Sequence, residues 1–255
     1  MVKKIFRQFT LKEDSEILGR QHLLRHLIDG IENCGPAWEY HLPLFMTRQA
    51  LSRQIYFDGL YRQLLDVPGV ICEFGVQWGS TLATLTNLRG VYEPYNYSRH
   101  IYGFDTFSGF ASVDVKDGPD CEVGDYTVLP GYEKDLEKIL ALHEANSPLA
   151  HIKKTHLVKG DVTDTLPIWL DANPHAVISM AIFDMDVYSP TKLALEAILP
   201  RLTRGSILVF DELNCPQFPG ETQALAEVIG LAKLRLRRSP HQPYCAWAVW
   251  GEQPS

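Results

Sequence analysis

Ile71-Cys72-Glu73-Phe74-Gly75-Val76-Gln77-Trp78-Gly79-Ser80-Thr81 begins as a short apolar run, breaks at one glycine and resumes after a second with residues that open a helix. A buried strand feeding a helix through a glycine turn is the repeating unit of parallel sheets, and glycine there lets the backbone pass close to a ligand. Four further apolar runs follow the same plan, at 100–105, 155–161, 177–184 and 206–211, after the first at 70–75. Helical patterns separate them near 79–89, 131–146, 163–171, 190–202 and 220–231. The alternation predicts an α/β fold, a mostly parallel sheet with helices on both faces. Two last candidates, 232–238 and 244–250, are joined by Ser239-Pro240-His241-Gln242-Pro243, too short for a parallel crossover. They are expected to complete a seven-stranded sheet as an antiparallel C-terminal hairpin at its edge.

Upstream, Ile17, Leu24, Leu27, Ile28 and Ile31 recur at helical spacing. Asp14 or Ser15 can cap that helix, over 14–33, and Gly35-Pro36 stops it. A second helix is expected over 47–66, ended by Val67-Pro68-Gly69. The expected division is a helical extension over 1–45, acting as a lid or an oligomer contact, and a single catalytic sheet domain over 46–255. With 255 residues, 45% hydrophobic and 22% charged, the chain can bury a real core and is unlike disordered, collagen-like or disulfide-scaffold sequences.

The net charge of −7 disfavours a nucleic-acid partner. The one basic cluster, Lys233, Arg235, Arg237 and Arg238, alternates with Leu234 and Leu236 as the wet face of a strand would. No apolar run approaches the roughly 18 residues of a membrane span. The start, Met1-Val2-Lys3-Lys4-Ile5-Phe6-Arg7, lacks the apolar stretch of a signal peptide, so a cytoplasmic protein without a membrane partner is expected. Five cysteines without a Cys-x-x-Cys pair read as reduced thiols. His22 and His26 have helical i, i+4 spacing but lack the glutamate of a zinc-protease helix, and read as solvent-facing.

Every parallel run ends in an acid: Glu73, Asp105, Asp161, Asp184 and Asp211. In open α/β sheets the ligand crevice lies beyond the carboxyl ends of the strands, so all five are expected to face one cleft. Helix capping would account for any one of them. It does not account for Asp184, after which Ser189-Pro190 offers a better helix start, nor for Asp211, which precedes Glu212-Leu213-Asn214-Cys215-Pro216. A dinucleotide fingerprint needs Gly-x-Gly-x-x-Gly, and Gln77 and Ser80 break it. Glu73-x-Gly75-x-x-x-Gly79-Ser80-Thr81 suits S-adenosylmethionine instead, whose amino-acid end needs backbone and carboxylate partners. Asp105 is placed to accept both ribose hydroxyls. Asp161, with Val162, is expected near the adenine.

The densest stretch is Phe183-Asp184-Met185-Asp186-Val187-Tyr188-Ser189-Pro190, with Phe210-Asp211-Glu212. If the strand persists, residues 184 and 186 point to one side. If the fourth and fifth runs are neighbours, Asp211 and Glu212 join them. Four crowded carboxylates raise one another's pKa unless a cation compensates, and a hard divalent ion such as Mg²⁺ answers that.

At these residues the sequence resembles the macrocin-type sugar O-methyltransferases of antibiotic biosynthesis, a metal-dependent branch of the class I S-adenosylmethionine enzymes. The resemblance implies the Rossmann-like seven-stranded sheet of that class, with S-adenosyl-L-methionine as cofactor, S-adenosylhomocysteine as product, and Mg²⁺. It implies Asp184, Asp211 and Glu212 as metal ligands and Asp186 as general base, with Asp184 also beside the cofactor. The later acid pair is often two aspartates in that family; here its second member is Glu212. A homo-oligomer is also implied.

A sugar hydroxyl is too weakly acidic to attack a methyl sulfonium at neutral pH, so a base and charge stabilisation are both required. For the acceptor, Tyr188 and Phe107 are the expected contacts. Tyr92, Tyr95, Tyr97, Phe110 and Tyr126 are further aromatic candidates, and Trp38, Tyr40 and His41 form a candidate lid. The expected acceptor is a nucleotide-activated, rhamnose-like deoxyhexose or a glycosylated aglycone. A catechol-type O-methyltransferase, an NAD(P)-dependent nucleotide-sugar oxidoreductase and a silent binding subunit are the rival readings. Segment 106–130 carries no usable motif.

Overall fold

Strands β1 (Val70–Phe74), β2 (Ile101–Asp105), β3 (Thr155–Lys159), β4 (Ile178–Phe183) and β5 (Leu202–Phe210) are parallel. They belong to a computed structural model that describes residues 14–252. β7 (Ala246–Val249) lies antiparallel to β5 on one side and to β6 (Arg237–Arg238) on the other. The order β3-β2-β1-β4-β5-β7-β6 is the expected seven-stranded, mostly parallel sheet with an antiparallel C-terminal edge. Winding reverses between β1 and β4, which opens a crevice at their carboxyl ends.

The helices are α1 (Asp14–Gly30), α2 (Arg48–Gln63), α3 (Ser80–Tyr92), α4 (Tyr132–Ala145), α5 (Val162–Ala172), α6 (Tyr188–Ile198) and α7 (Pro219–Val228). On one face of the sheet, Phe57 and Leu60 of α2, Leu82 of α3 and Leu136 of α4 pack against Ile71, Met180 and Val209. On the other, Leu166 and Trp169 of α5, Leu195 of α6 and Leu225 of α7 cover Cys72, Phe183 and Phe210. Adjacent strand residues thus feed opposite cores, as the two-residue period of a strand requires. These runs are apolar throughout because both faces are covered.

Several boundaries differ from the sequence expectation. Asp161, Asp184 and Asp211 lie just beyond strands that end at Lys159, Phe183 and Phe210, so the strand does not persist to residue 186. β6 is only two residues long, because Leu231–Lys233 forms a 3-10 turn and the following Leu234 is buried. α6 starts at Tyr188, not after Ser189: Val187 occupies the cap position, and the Tyr188 N–H donates to Asp117 Oδ1 at 2.7 Å. Pro190 is then tolerated in the first turn, whose N–H groups lack intrahelical acceptors.

α1 ends at Gly30, earlier than expected, and a 3-10 segment, Ile31–Leu44, follows it, broken at Gly35. No residue of that segment is buried. The side chains of Asp14, Ser15 and Ile17, and with them the expected cap, lie outside what the structure describes, as does the start at Met1. His22 and His26 are exposed on α1, as expected. Thr47 caps α2, accepting from the Ala50 N–H at 3.2 Å.

Candidate active site

The carboxyl ends of four neighbouring strands carry a row of aromatic rings. Phe104, Phe74, Phe183 and Phe210 lie with successive centroids 5.1, 5.4 and 5.3 Å apart. This row sets the height at which Asp105, Asp184 and Asp211, each the next residue after a phenylalanine, leave the sheet. Above it lies a cleft of about 570 Å³, a size suited to a small-molecule site.

The β1–α3 turn forms one wall. Gly75 has φ +92°, and a Cβ there would come 1.9 Å from the Asp184 carbonyl oxygen. Only glycine allows the turn to lie this close to the β4 exit. Asp105 holds the turn from beneath, its Oδ2 accepting from the Val76 and Gln77 N–H groups at 2.7 and 2.8 Å. Glu73 is buried, and its Oε2 has no hydrogen-bond partner. Burial, reinforced by the Asp184 charge, holds its carboxyl well above the usual range. A buried acceptor left open in this way fits a cationic donor such as the ammonium of an amino-acid ligand.

Glu73, Gly75, Ser80, Thr81 and Asp105 all line the cleft, as do Asp161 and Val162 at the start of α5. Asp161 also caps that helix, its Oδ1 accepting from the Thr163 N–H at 2.9 Å. Gly79 does not line the cleft; its φ is +79°, and a Cβ there would come 2.5 Å from Leu136 Cδ1 of α4, which ties it to helix packing.

Beyond β4 and β5 the four acids meet as expected: Asp184, Asp186, Asp211 and Glu212 all line the cleft. They arrive there by a different route from a continued strand. Val187 N–H donates to Met185 O at 2.7 Å, which throws Asp186 to φ +64° in a three-residue turn. Turns of this hand are rare and strained. Burial, with the charge of Asp211 next, pushes the Asp184 carboxyl up to about 8. Burial and the Asp184 charge hold Asp186 well above the usual range. Burial and Asp211 raise Glu212 to about 7. Glu221 of α7 is a buried fifth acid, accepting from the Glu212 N–H at 3.0 Å.

Two members of the site escaped the sequence reading. Arg53 of α2 donates to Asp211 Oδ1 at 2.8 Å, to Asp184 Oδ2 at 3.0 Å and to Thr81 Oγ1 at 3.1 Å. Cys245 Sγ donates to Asp211 Oδ1 at 3.0 Å. Both come from distant parts of the chain, with no local spacing to announce them. The donor set suits a hard divalent cation in kind, all carboxylate oxygen, and in charge, four acids against one arginine. Its arrangement does not yet gather them, since Arg53 spans two of the three expected ligands. Among the described residues no three acids, histidines or cysteines form a ready metal cage.

The expected acceptor contacts need correction. Tyr188 points away toward α7, its hydroxyl donating to Glu227 Oε2 at 2.6 Å beneath Lys116. Phe107 is buried in the α2–α3–α4 core. The aromatic wall is made instead by Phe110 and Tyr126, with centroids 5.4 Å apart. Both belong to segment 106–130, which Asp117 pins to α6 and the Lys116 carbonyl pins to Gln223 of α7. Trp38, Tyr40 and His41 are exposed and line no part of the cleft. No described helix is long and apolar enough to cross a membrane.

Residues 72–213 match the family model described as a methyltransferase domain. Among solved structures, that of CalS11, a calicheamicin methyltransferase, is 43% identical over 96% of each chain, with a TM-score of 0.89. An apo structure of CalS11, described as a TDP-rhamnose 3′-O-methyltransferase of calicheamicin biosynthesis, is 42% identical over 96% of this chain and 98% of the other, with a TM-score of 0.83. The O-methyltransferase NovP shares the fold, with 17% identity over 78% and 79% of the two chains and a TM-score of 0.56. No curated protein matches the chain.

Proposed function

We propose, for a chain that belongs to the methyltransferase-domain family and within it to the antibiotic-sugar O-methyltransferases, that the acceptor is a hydroxyl of a nucleotide-activated, rhamnose-like deoxyhexose. One observation carries the reading. A single cleft joins the open carboxylate of Glu73 and the Gly75 turn to Asp186 and its acidic neighbours. Methyl donor and hydroxyl acceptor therefore have adjoining places, which is what a direct transfer between them requires.

Within that cleft Glu73 receives the donor's ammonium group, Asp105 its ribose and Asp161 with Val162 its adenine. S-adenosylmethionine supplies an electrophilic methyl group on sulfur. Asp186 takes the acceptor hydroxyl proton, a contribution of roughly 10²–10⁴-fold for a positioned base. Its strained turn fixes the carboxylate relative to Asp184 without a long flexible side chain. Asp184, Asp211 and Glu212 would hold Mg²⁺, which would lower the cost of the developing alkoxide charge. Phe110 and Tyr126 offer faces on which a sugar or base can pack.

The exposed apolar residues Leu24 and Ile28 of α1 and Leu44 of the 3-10 segment serve contacts between copies of the chain in a homo-oligomer. The five cysteines, all unpaired, support a reducing cytoplasmic setting. Methyl transfer is to be assayed against a nucleotide-activated 6-deoxyhexose, a glycosylated aglycone and a catechol. Product from the first supports the proposal. Turnover confined to the second or third overturns the acceptor assignment.

A further inference from the structure

We propose that Arg53 is the resident counter-cation of the acid cluster, and that a divalent cation reaches Asp184 and Asp211 only by displacing its guanidinium. The proposal rests on the metal reading above and deepens it. Nη1 bonds Asp211 at 2.8 Å and Nη2 bonds Asp184 at 3.0 Å, so the fork of one side chain bridges two of the three acids assigned to the metal. Both carboxylates turn an oxygen toward the arginine. A cation drawing on the same oxygens would meet the guanidinium at contact distance, and two positive groups do not share that position.

The surroundings suit an exchangeable partner. Arg53 is the only lysine, arginine or histidine among the described residues lining the cleft. Arg53 pairs only Asp184 and Asp211 and leaves Asp186 and Glu212 with no cationic partner among the lining residues, so a dication still gains by entering. The arginine side chain keeps 26% of its surface exposed, and its guanidinium carbon lies 5.0 Å from the Phe57 ring centroid on its own helix. It thus has an aromatic neighbour and an opening to the cleft when released. Cys245 remains as a neutral donor to Asp211, and Thr81 loses only one bond.

The test is titration with Mn²⁺, followed by the paramagnetic resonance signal of the free ion, with S-adenosylhomocysteine present. Wild type, Arg53→Gln, Arg53→Lys, Asp184→Asn and the double variant Arg53→Gln/Asp184→Asn are compared. Arg53→Gln is expected to bind Mn²⁺ at least tenfold more tightly than wild type. Arg53→Lys, which keeps the charge but cannot bridge two carboxylates with one planar fork, falls between them. The double variant loses the gain. Affinity for S-adenosylhomocysteine alone reports that each variant is folded; should Arg53→Gln fail there, the same ordering is read from Arg53→Lys against wild type. Equal or weaker Mn²⁺ binding in the arginine variants, with wild-type binding still abolished by Asp184→Asn, overturns displacement and leaves the metal reading standing. No binding in any form overturns both.

Discussion

Asp186 carries positive φ at the tip of a three-residue turn, a conformation that aspartate and asparagine tolerate better than most residues. Asp186→Asn therefore keeps the turn and the shape of the side chain while removing the carboxylate proposed as the base. The expected outcome is a loss of roughly 10²–10⁴-fold in kcat with S-adenosylhomocysteine affinity kept, read by methyl-transfer rate and calorimetry. Unchanged turnover would remove Asp186 from the chemistry. Gly75 makes the opposite case, since no side chain fits. Alanine would force its Cβ into the Asp184 carbonyl in a backbone region that costs about 1–3 kcal/mol for a non-glycine residue. Gly75→Ala is expected to lower stability in urea by at least that amount and to lose S-adenosylhomocysteine binding. Both positions were legible in the sequence, because a glycine at a strand exit and spaced acids beyond a buried run are local signals. Tyr188 was misread for a local reason too: the turn at Asp186 rotates everything after it, and the ring ends on the α7 side of its helix.

Among the elements, the junction of α2, β1 and β4 hangs on one buried arginine. Arg99 pairs with Glu93 at 2.9 Å and donates to the Leu64 and Val67 carbonyls, to that of Gly69 and to Ser179 Oγ. It thereby closes the end of α2 onto the entry of β1. Burial opposes ionisation of Glu93, but hydrogen bonds from Arg99 and Tyr61 outweigh it and hold the carboxyl below its usual range. A carboxylate lowered on folding binds fewer protons in the native than in the unfolded state. Its stabilisation is thus present above the ordinary value near 4.5 and is lost as pH falls through the depressed one. Glu93→Gln leaves the buried guanidinium uncompensated and is expected to cost about 3–5 kcal/mol. The variant should also show a shallower loss of stability on acidification below about pH 4.5. Thermal unfolding across pH 3 to 7 measures both, and a slope identical to wild type would sink the assignment. Segment 106–130 belongs to this scale as well. Its role was illegible because Asp117 and Lys116 act through partners about 70–110 residues away.

For the whole molecule, α1 and the 3-10 segment present Leu24, Ile28, Trp38 and Leu44 to solvent, more apolar surface than a segment with no buried residue of its own normally leaves uncovered. Gel filtration is expected to place the chain well above its 28.9 kDa mass, and Ile28→Asp combined with Leu44→Asp should shift it toward the monomer. Elution of wild type at monomer mass would remove the oligomer. The sequence by itself determined the alternation of strands and helices, the antiparallel C-terminal edge, the glycine turn and the five acids at the strand ends. Each of these is written in neighbouring residues, through periodicity, turn chemistry and the two-sided burial of a parallel sheet. Only the tertiary structure decided which cation stands among the acids and which aromatic residues wall the cleft. Arg53 meets Asp184 and Asp211 across 131 and 158 residues, and Phe110 and Tyr126 displace Tyr188 and Phe107. Such contacts depend on how packed layers bring distant segments together, and an interaction of that range leaves no periodic trace in the chain.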